Sequence, residues 1–219
     1  IILVGSHFIY ESESDNRYIM DAALQVPVML LNASFDAPNV YSIVSDDYNS
    51  MYEATKQMIA SGIQDILYFY NSTSYSGKRK LAGYRAAMEE AGLLRSGNLM
   101  QLYTGSHEDI QGMSEHLMKV QGKGILFRGV IASDDNLALG AIKYARTAGL
   151  RIPQELAIIG YNNSLLAACC NPELTSIDNK LETLCQHLIT TLMGLLNGSE
   201  MPKKTVFSGE IIHRGTTLS

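Results

Sequence analysis

Residues 149–164, GLRIPQELAIIGYNNS, contain much of the information needed to assign the fold. Gly149 follows a segment of helical length and is typical of a helix C-cap, and a proline turn comes next. The apolar run at 156–159 predicts a short buried strand. Two asparagines, Asn162 and Asn163, stand where that strand ends. The stretch therefore predicts helix, turn and strand, followed by a polar site at the strand's carboxyl end.

The same succession of elements repeats along the chain. Short apolar runs rich in β-formers alternate with amphipathic segments of helical length, which is typical of βα units and a parallel sheet. The apolar runs are continuous, so we expect helices on both faces of each sheet. The predicted strands are residues 1–4, 28–31, 40–44, 66–70, 99–103, 129–132, 157–160 and 205–207. The predicted helices are residues 16–25, 48–61, 77–91, 109–121, 135–148 and 181–196.

Composition argues against several classes of protein. The chain has 219 residues, 46% of them hydrophobic, and a net charge of −5, without a basic stripe that would bind a phosphate backbone. No apolar run approaches the ~20 residues that a membrane helix needs. The three cysteines, Cys169, Cys170 and Cys185, lack the C-x-x-C spacing of a zinc knuckle. We therefore expect a soluble cytoplasmic protein that has no membrane partner.

Four polar clusters follow predicted strands. In open parallel sheets, ligands bind beyond the carboxyl ends of the strands. Residues 71–75, 103–107, 133–136 and 161–164 occupy such positions and are rich in hydroxyls, amides and carboxylates, which suit a small polar ligand. Each cluster taken alone is equally compatible with ordinary turns and helix caps.

Residues 131–163, IASDDNLALGAIKYARTAGLRIPQELAIIGYNN, resemble the central signature of the LacI/GalR (lac-repressor-like) family of bacterial transcription regulators. Four other segments resemble further motifs of that family. They are SDDY at 45–48, KLAGYRAAMEEAGL at 80–93, PELTSI at 172–177 and IHRGTT at 212–217. The five motifs are collinear and extend over essentially the whole chain.

The resemblance implies an α/β fold with two doubly wound parallel-sheet lobes of the periplasmic-binding-protein type I, joined by three crossing segments. It assigns residues 1–62 and about 178–200 to an incomplete N-terminal lobe, and residues 63–177 and about 201–219 to the C-terminal lobe. It also implies a small-molecule effector in the cleft and a homodimer. Operator DNA would be a partner only through a helix-turn-helix headpiece, which this chain lacks together with the first two βα units of the lobe.

Two of the effector contacts implied by the family's motifs differ in residue type here. Lys80 stands where the family has an arginine, so a bidentate fork is replaced by a point charge. Asn162 stands where the family usually has an aspartate, so a charge-assisted hydrogen bond is replaced by a neutral one. We expect Asn162 to point into the cleft and Asn163 to cap the turn. The alternative for Lys80 is a solvated helix face.

Three weaker candidates complete the predicted effector site. Asp134 occupies the family's amide or carboxylate position, although it is also a good helix N-cap. His107 aligns roughly with an aromatic residue that stacks on ligand in some relatives, and Asn49 aligns with a ligand-contacting acid of the lac repressor. The alternatives are a surface loop residue for His107 and an exposed first-turn residue for Asn49.

The sequence contains no recognisable catalytic motif. H-E-x-x-H, G-x-S-x-G, Walker and G-x-G-x-x-G patterns are missing, and neither a cofactor nor a metal site is predicted. The favoured hypothesis is the sensor core of a transcription regulator. The alternatives are a solute-binding protein of a sugar transporter and an enzyme on a related doubly wound fold. A neutral sugar is the first choice of effector, with a sugar phosphate or a nucleoside still open.

Overall fold

The computed structural model describes residues 1–10, 12–94 and 99–218. Over these residues the chain forms ten strands and seven α-helices. In chain order they are β1 (Ile2–Val4), α1 (Arg17–Ala23), β2 (Val28–Leu31), β3 (Val40–Ser45), α2 (Asp47–Ala60), β4 (Ile66–Tyr70), α3 (Tyr75–Glu90), β5 (Met100–Leu102), α4 (Ile110–Gly122), β6 (Gly129–Ala132), α5 (Asp135–Thr147), β7 (Ala157–Tyr161), α6 (Leu165–Cys169), β8 (Thr175–Asp178), α7 (Leu181–Leu196), β9 (Lys204–Phe207) and β10 (Glu210–Ile212).

The predicted strands and helices all occur, with ends that differ by at most two residues. Three elements were not predicted, namely α6, β8 and β10. Each is short, and β8 and β10 mix polar with apolar residues, so neither stands out as a buried apolar run. Among the described residues, none of the helices combines the length with the apolar character needed to cross a bilayer.

The strands form two sheets. The first sheet has the order β1-β2-β3-β9, and its pairs are all parallel. The second has the order β10-β8-β7-β6-β4-β5 and is parallel except for the pair β10–β8. The α/β architecture with two parallel sheets agrees with the fold class expected from the sequence.

Helices cover both faces of the six-stranded sheet, which explains the continuous apolar runs. In β4, Leu67 and Phe69 pack on the face covered by α4 and α5. Ile66 and Tyr68, which alternate with them, pack against α2 and α3 on the other face. Side chains of a strand point alternately to opposite faces, so a strand buried on both faces must be apolar at every position.

The packing changes the lobe boundaries that the resemblance implied. Residues 47–60 were expected in the N-terminal lobe, but α2 buries Met51, Ala54 and Met58 against the six-stranded sheet. Residues 201–219 were expected in the C-terminal lobe, but β9 pairs with β3 in the four-stranded sheet. The chain therefore crosses between the sheets after β3, after β8 and after β9. In each case the partner is distant in sequence, so local pattern does not reveal it.

Candidate functional site

A cavity of about 380 Å³ lies beyond the carboxyl ends of β1, β4, β5, β6 and β7. Residues from both sheets line it, and their side chains are hydroxyls, amides, imidazoles, an ammonium and a carboxylate. The lining consists of Ser6, His7, Asn71, Ser72, Ser74, Ser76, Gly77, Lys80, Gly105, His107, Ser133, Asp134 and Asn162. We call it the cleft cavity. All four polar clusters predicted from the strand ends contribute to it.

Lys80 lies at the floor of the cleft cavity, on the second turn of α3. Its ammonium donates a hydrogen bond to the carbonyl of Ser133 at 3.0 Å and lies 3.6 Å from the centre of the Tyr161 ring. Only 9% of the residue is exposed, so the alternative of a solvated helix face does not apply. Burial lowers the pKa of Lys80, while the surrounding carboxylates of Asp47, Asp134 and Asp135 act in the opposite direction.

Tyr161, whose ring contacts the Lys80 ammonium, is fixed at its hydroxyl end by a hydrogen bond to Asp47. Its hydroxyl donates to Asp47 Oδ1 at 2.5 Å, which connects the end of β7 to the first turn of α2. Burial, reinforced by the Asp47 carboxylate, raises the pKa of Tyr161 well above the ordinary value. The phenol therefore stays neutral and fixes the ring on which the Lys80 ammonium rests.

Asp134 uses its two carboxylate oxygens differently. Oδ1 accepts from the backbone N–H of Leu137 at 2.9 Å and caps α5. Oδ2 accepts from the amide of Asn71 at 2.8 Å and lies 3.4 Å from His107 Nε2. The N-cap alternative is therefore correct, yet the same residue also lines the cavity, because only one oxygen is needed for the cap.

His107 is oriented by its neighbours. Asn136 Nδ2 donates to His107 Nδ1 at 2.9 Å, which places the proton of the neutral imidazole on Nε2, facing Asp134. The ring stands over the mouth of the cavity and is largely exposed. It is thus available to a ligand from one side.

Asn162 lies at the cavity in a left-handed backbone conformation, with φ of 98°. Asparagine tolerates this region better than most residues. Its side-chain oxygen accepts from Asn179 at 3.1 Å, while its NH₂ donates to no partner among the described residues. Asn163 was expected to cap the turn with its side chain. Its side-chain oxygen instead accepts a hydrogen bond from the Arg214 guanidinium at 2.7 Å. The two asparagines therefore have different functions, one facing the cavity and one anchoring the loop.

Asp135 holds the loop that carries Asn162. Its Oδ2 accepts from both the backbone N–H and the hydroxyl of Ser164 at 2.7 Å, and its Oδ1 accepts from Ser176 at 2.6 Å. Burial raises the pKa of Asp135, and the hydrogen bonds from Ser176 and Ser164 oppose that shift. Gly160 is required next to this carboxylate, because a Cβ there would lie 2.3 Å from Asp135 Oδ1.

The structure brings four of the five predicted site residues together and leaves Asn49 elsewhere. Asn49 lies in the first turn of α2, where its amide donates to Asp46 at 2.5 Å, and it lines a different cavity. The expectation of an exposed first-turn residue describes it better. Asn49 therefore lies outside the candidate site.

Sequence reasoning missed the residues that follow β1. The Ser6 hydroxyl donates to Ser74 Oγ at 2.8 Å, and the Ser6 carbonyl accepts from the N–H of Tyr75 at 3.4 Å, so the two lobes meet here. His7 also lines the cavity. The sequence carries a signal for them, since Ser6 and His7 lie two and three residues after the predicted strand 1–4, a position equivalent to that of the other polar clusters.

The sequence matches the periplasmic binding protein-like domain family over residues 55–217. It is 46% identical over 217 residues to an HTH-type transcriptional regulator of Lachnoclostridium phytofermentans, covering 99% of this chain and 64% of that protein. It is 26% identical over 219 residues to the HTH-type transcriptional regulator AscG of Escherichia coli, covering 100% of this chain and 63% of that protein. The chain thus spans less than two thirds of the length of these relatives.

Solved structures have the same fold. A sugar-binding transcriptional regulator of the LacI family from Escherichia coli, crystallised in complex with phosphate, superposes with a TM-score of 0.85 at 24% identity and covers 99% of this chain and 77% of its own. The Escherichia coli transcriptional repressor AscG superposes with a TM-score of 0.84 at 24% identity, over 100% of this chain and 78% of its own. The relatives found by sequence and by structure are thus described as regulators or repressors and not as enzymes.

Proposed function

The chain belongs to the periplasmic binding protein-like domain family, among the LacI-type transcriptional regulators, and from this premise we propose that it senses a small polar effector in the cleft cavity. The effector would control operator binding through a DNA-binding headpiece, in the cytoplasm. One observation carries the proposal: Lys80, His107, Asp134 and Asn162, singled out by motif alone, line one cavity between the lobes. A solute-binding protein of a transporter is the weaker alternative, because the named relatives are regulators.

Effector binding would act by changing the relative rotation of the lobes. A ligand shifts such an equilibrium only through its different affinities for the two states, and a full reversal from 1:99 to 99:1 needs about 5.5 kcal/mol. The cavity can give a ligand different affinities for the two states, because its lining comes from both lobes. Ser6 and His7 lie on one side, and Lys80 and Asp134 lie on the other.

A neutral sugar is the first choice of effector. The cavity offers amide donors, hydroxyls and the Asp134 carboxylate, and such a set can pair with several ligand hydroxyls at once. A sugar phosphate is the second choice. It is favoured by the buried Lys80 ammonium, which has no carboxylate within 4 Å among the described residues, and by the phosphate complex of the Escherichia coli relative.

We expect a thermal-shift screen of the chain against sugars, sugar phosphates and nucleosides to identify one class of ligand. A ligand at 100 times its Kd stabilises the folded state by about 2.7 kcal/mol, which for a chain of this size raises the Tm by about 5 to 10 °C. Asn162→Ala should weaken binding about tenfold, because it removes a hydrogen-bonding amide from the cavity. Asn197→Ala, at the exposed end of α7, is the matched control and should bind like the wild type.

The variant Lys80→Gln separates the two leading ligand classes. For a sugar phosphate, loss of a charge-assisted hydrogen bond from a buried ammonium should weaken binding by about 100-fold, whereas a neutral sugar should lose about tenfold or less. If no compound of any class shifts the Tm, or if Asn162→Ala binds as well as Asn197→Ala, the cleft cavity is not the effector site.

The proposal includes a homodimer. In support of it, α7 presents a row of apolar side chains to solvent, spaced as expected for one helical face. The residues in the row are Leu181, Ile189, Met193 and Leu196, each about half exposed or more. Contiguous exposed apolar surface marks sites where another protein surface packs. Sedimentation velocity of the chain over a range of concentrations measures the association directly.

A further inference from the structure

Two buried charges of opposite sign lie on either side of the Tyr161 side chain. The Lys80 ammonium rests on the face of the ring, 3.6 Å from its centre, and the Asp47 carboxylate accepts from the phenol hydroxyl at 2.5 Å. Lys80 is 9% exposed, Asp47 is 6% exposed and Tyr161 is fully buried. One aromatic side chain therefore separates a buried cation from a buried anion.

Neither charge has a close ion-pair partner in the described part of the chain. No carboxylate lies within 4 Å of the Lys80 ammonium, which donates to the carbonyl of Ser133. No basic side chain lies within 4 Å of the Asp47 carboxylate, which accepts from Tyr161. An isolated charge is costly to bury, and an opposite charge in the same apolar surroundings offsets much of that cost. The two charges therefore compensate each other across the ring.

The other carboxylates near Lys80 are occupied by hydrogen-bond donors of their own. Burial lowers the pKa of Lys80, and Asp47, followed by Asp134 and Asp135, opposes that shift. Asp134 caps α5 and accepts from an amide of the cavity, and Asp135 accepts three hydrogen bonds from serines. Asp47 is thus the carboxylate whose charge is least engaged elsewhere.

Asp47 does not line the cleft cavity. It is the first residue of α2 and follows the end of β3, Ser45, by two residues, so it stands where the chain has just crossed from the first sheet to the second. Tyr161 is the last residue of β7 and directly precedes Asn162. The hydrogen bond between Tyr161 and Asp47 thus links the floor of the cleft cavity to the first crossing between the lobes.

We propose that Asp47 is the counter-charge of the Lys80 ammonium and, acting across the Tyr161 ring, keeps Lys80 positively charged at the floor of the cleft cavity. Asp47 is a positioning residue, because it acts on Lys80 and does not touch the effector. A residue at the first crossing then sets the charge that the cavity offers, and movement of α2 against β7 changes it. This role in regulation rests on the proposed effector site, whereas the coupling of the two charges exists without a ligand.

The test is an NMR titration of the ligand-free chain labelled with ¹³C-lysine, in which the ε-carbon resonance of Lys80 reports the protonation of its ammonium. Lys80→Gln identifies this resonance by its loss. In Asp47→Asn, which keeps an acceptor for the Tyr161 hydroxyl, the titration midpoint of Lys80 should fall by about 1 pH unit. Asp46→Asn is the matched control and should leave the midpoint unchanged, because Asp46 faces Arg79 and asparagine still caps α2.

The other titratable and charged groups around this pair are the same in both variants. They are Asp134 and Asp135 of α5, Tyr68 of β4, Tyr161 of β7, Arg79 of α3, and the cavity imidazoles His7 and His107. A difference between Asp47→Asn and Asp46→Asn therefore reports the Asp47 charge.

A double-mutant cycle in urea provides a second measurement. The double variant Asp47→Asn/Lys80→Gln should lose less free energy of unfolding than the sum of the two single variants, because each single variant leaves one buried charge uncompensated. If Asp47→Asn alone does not fold at neutral pH, adding Lys80→Gln should restore folding.

Four results would overturn the proposal. They are an unchanged Lys80 midpoint in Asp47→Asn, an equal fall in Asp46→Asn, additive losses in the cycle, and failure of Lys80→Gln to restore an unfolded Asp47→Asn chain. Failure of the proposed function is a separate outcome. If no compound binds in the cleft cavity, the effector site is wrong, while the charge coupling, measured without ligand, is unaffected.

Discussion

Replacing Gly83 with alanine is expected to destabilise the chain by about 2 kcal/mol, although alanine is the better helix former by about 1 kcal/mol. Gly83 lies on α3 where that helix touches α2. A Cβ at this position would lie 2.2 Å from the carbonyl oxygen of Tyr48 and 3.1 Å from the backbone nitrogen of Tyr52. Both obstacles are backbone atoms that cannot rotate away, so the two helices would have to separate. The loss of packing should exceed the gain in helix propensity.

Urea unfolding followed by circular dichroism measures the loss in free energy of unfolding. In thermal unfolding the same loss should lower the Tm by about 4 to 8 °C. Gly122→Ala, at the end of α4, is the matched control. Its Cβ would meet no atom within 4 Å and its φ is not positive, so alanine should stabilise the chain by about 0.5 to 1 kcal/mol. If both variants shift stability in the same direction, the close contact between α2 and α3 is not what requires glycine at position 83.

Replacing Asp135 with alanine should cost about 3 kcal/mol of stability and also weaken ligand binding in the cleft cavity. The variant would leave the buried Ser176 hydroxyl and the N–H and hydroxyl of Ser164 without their acceptor. Each unsatisfied buried donor costs about 1 to 3 kcal/mol, and part of this is recovered because a buried charge is removed. Ser164 follows Asn162 by two residues, so its release would loosen the backbone that positions the Asn162 amide.

Asp135→Asn is the conservative comparison. It keeps one acceptor oxygen and nearly the same shape, so the loss should be about half as large, near 1 to 2 kcal/mol. Equal stabilities of the wild type, Asp135→Ala and Asp135→Asn in urea unfolding would show that the loop is held by other contacts.

The difference in stability between the wild type and Asp135→Asn is expected to change with pH in one direction. Burial raises the pKa of Asp135 in the folded chain above the ordinary aspartate value, so folding favours the protonated form. The resulting contribution to stability is fully present below the unfolded pKa and is lost as the pH rises through the folded pKa. We therefore expect the wild type to gain stability relative to Asp135→Asn as the pH is lowered from 7 into this window. A difference that does not change with pH would contradict the assignment.

Much of the fold follows from local pattern. The run at 66–70 was predicted with correct ends because a strand covered on both faces must be apolar throughout, and no turn residue interrupts it. The region 77–91 was recognised as a helix through its apolar periodicity and the Gly92 that follows it. Short mixed segments such as 175–178 were not recognised, because burial there is provided by neighbours and not by residue type.

Part of the candidate site was predictable for a related reason. Asp134 and Asn162 lie just beyond the ends of β6 and β7, and the topology of a parallel sheet brings these ends to one edge. Lys80 reaches the same edge from the second turn of α3, the helix that follows β4. Asn49 was wrongly grouped with them by alignment alone. Asn49 lies on α2, which begins after the chain has crossed from the first sheet to the second, and none of the motifs reveals that crossing.

The sequence by itself determined the alternation of strands and helices, the coverage of both sheet faces, the family and the strand ends where a ligand site was to be sought. These features depend on the period and polarity of neighbouring residues. The tertiary structure alone decided that α2 packs on the second sheet, that β9 joins the first, and that Ser50 is buried beside Gly209. These features depend on contacts between residues far apart in the chain, whose geometry is set by how the whole backbone packs.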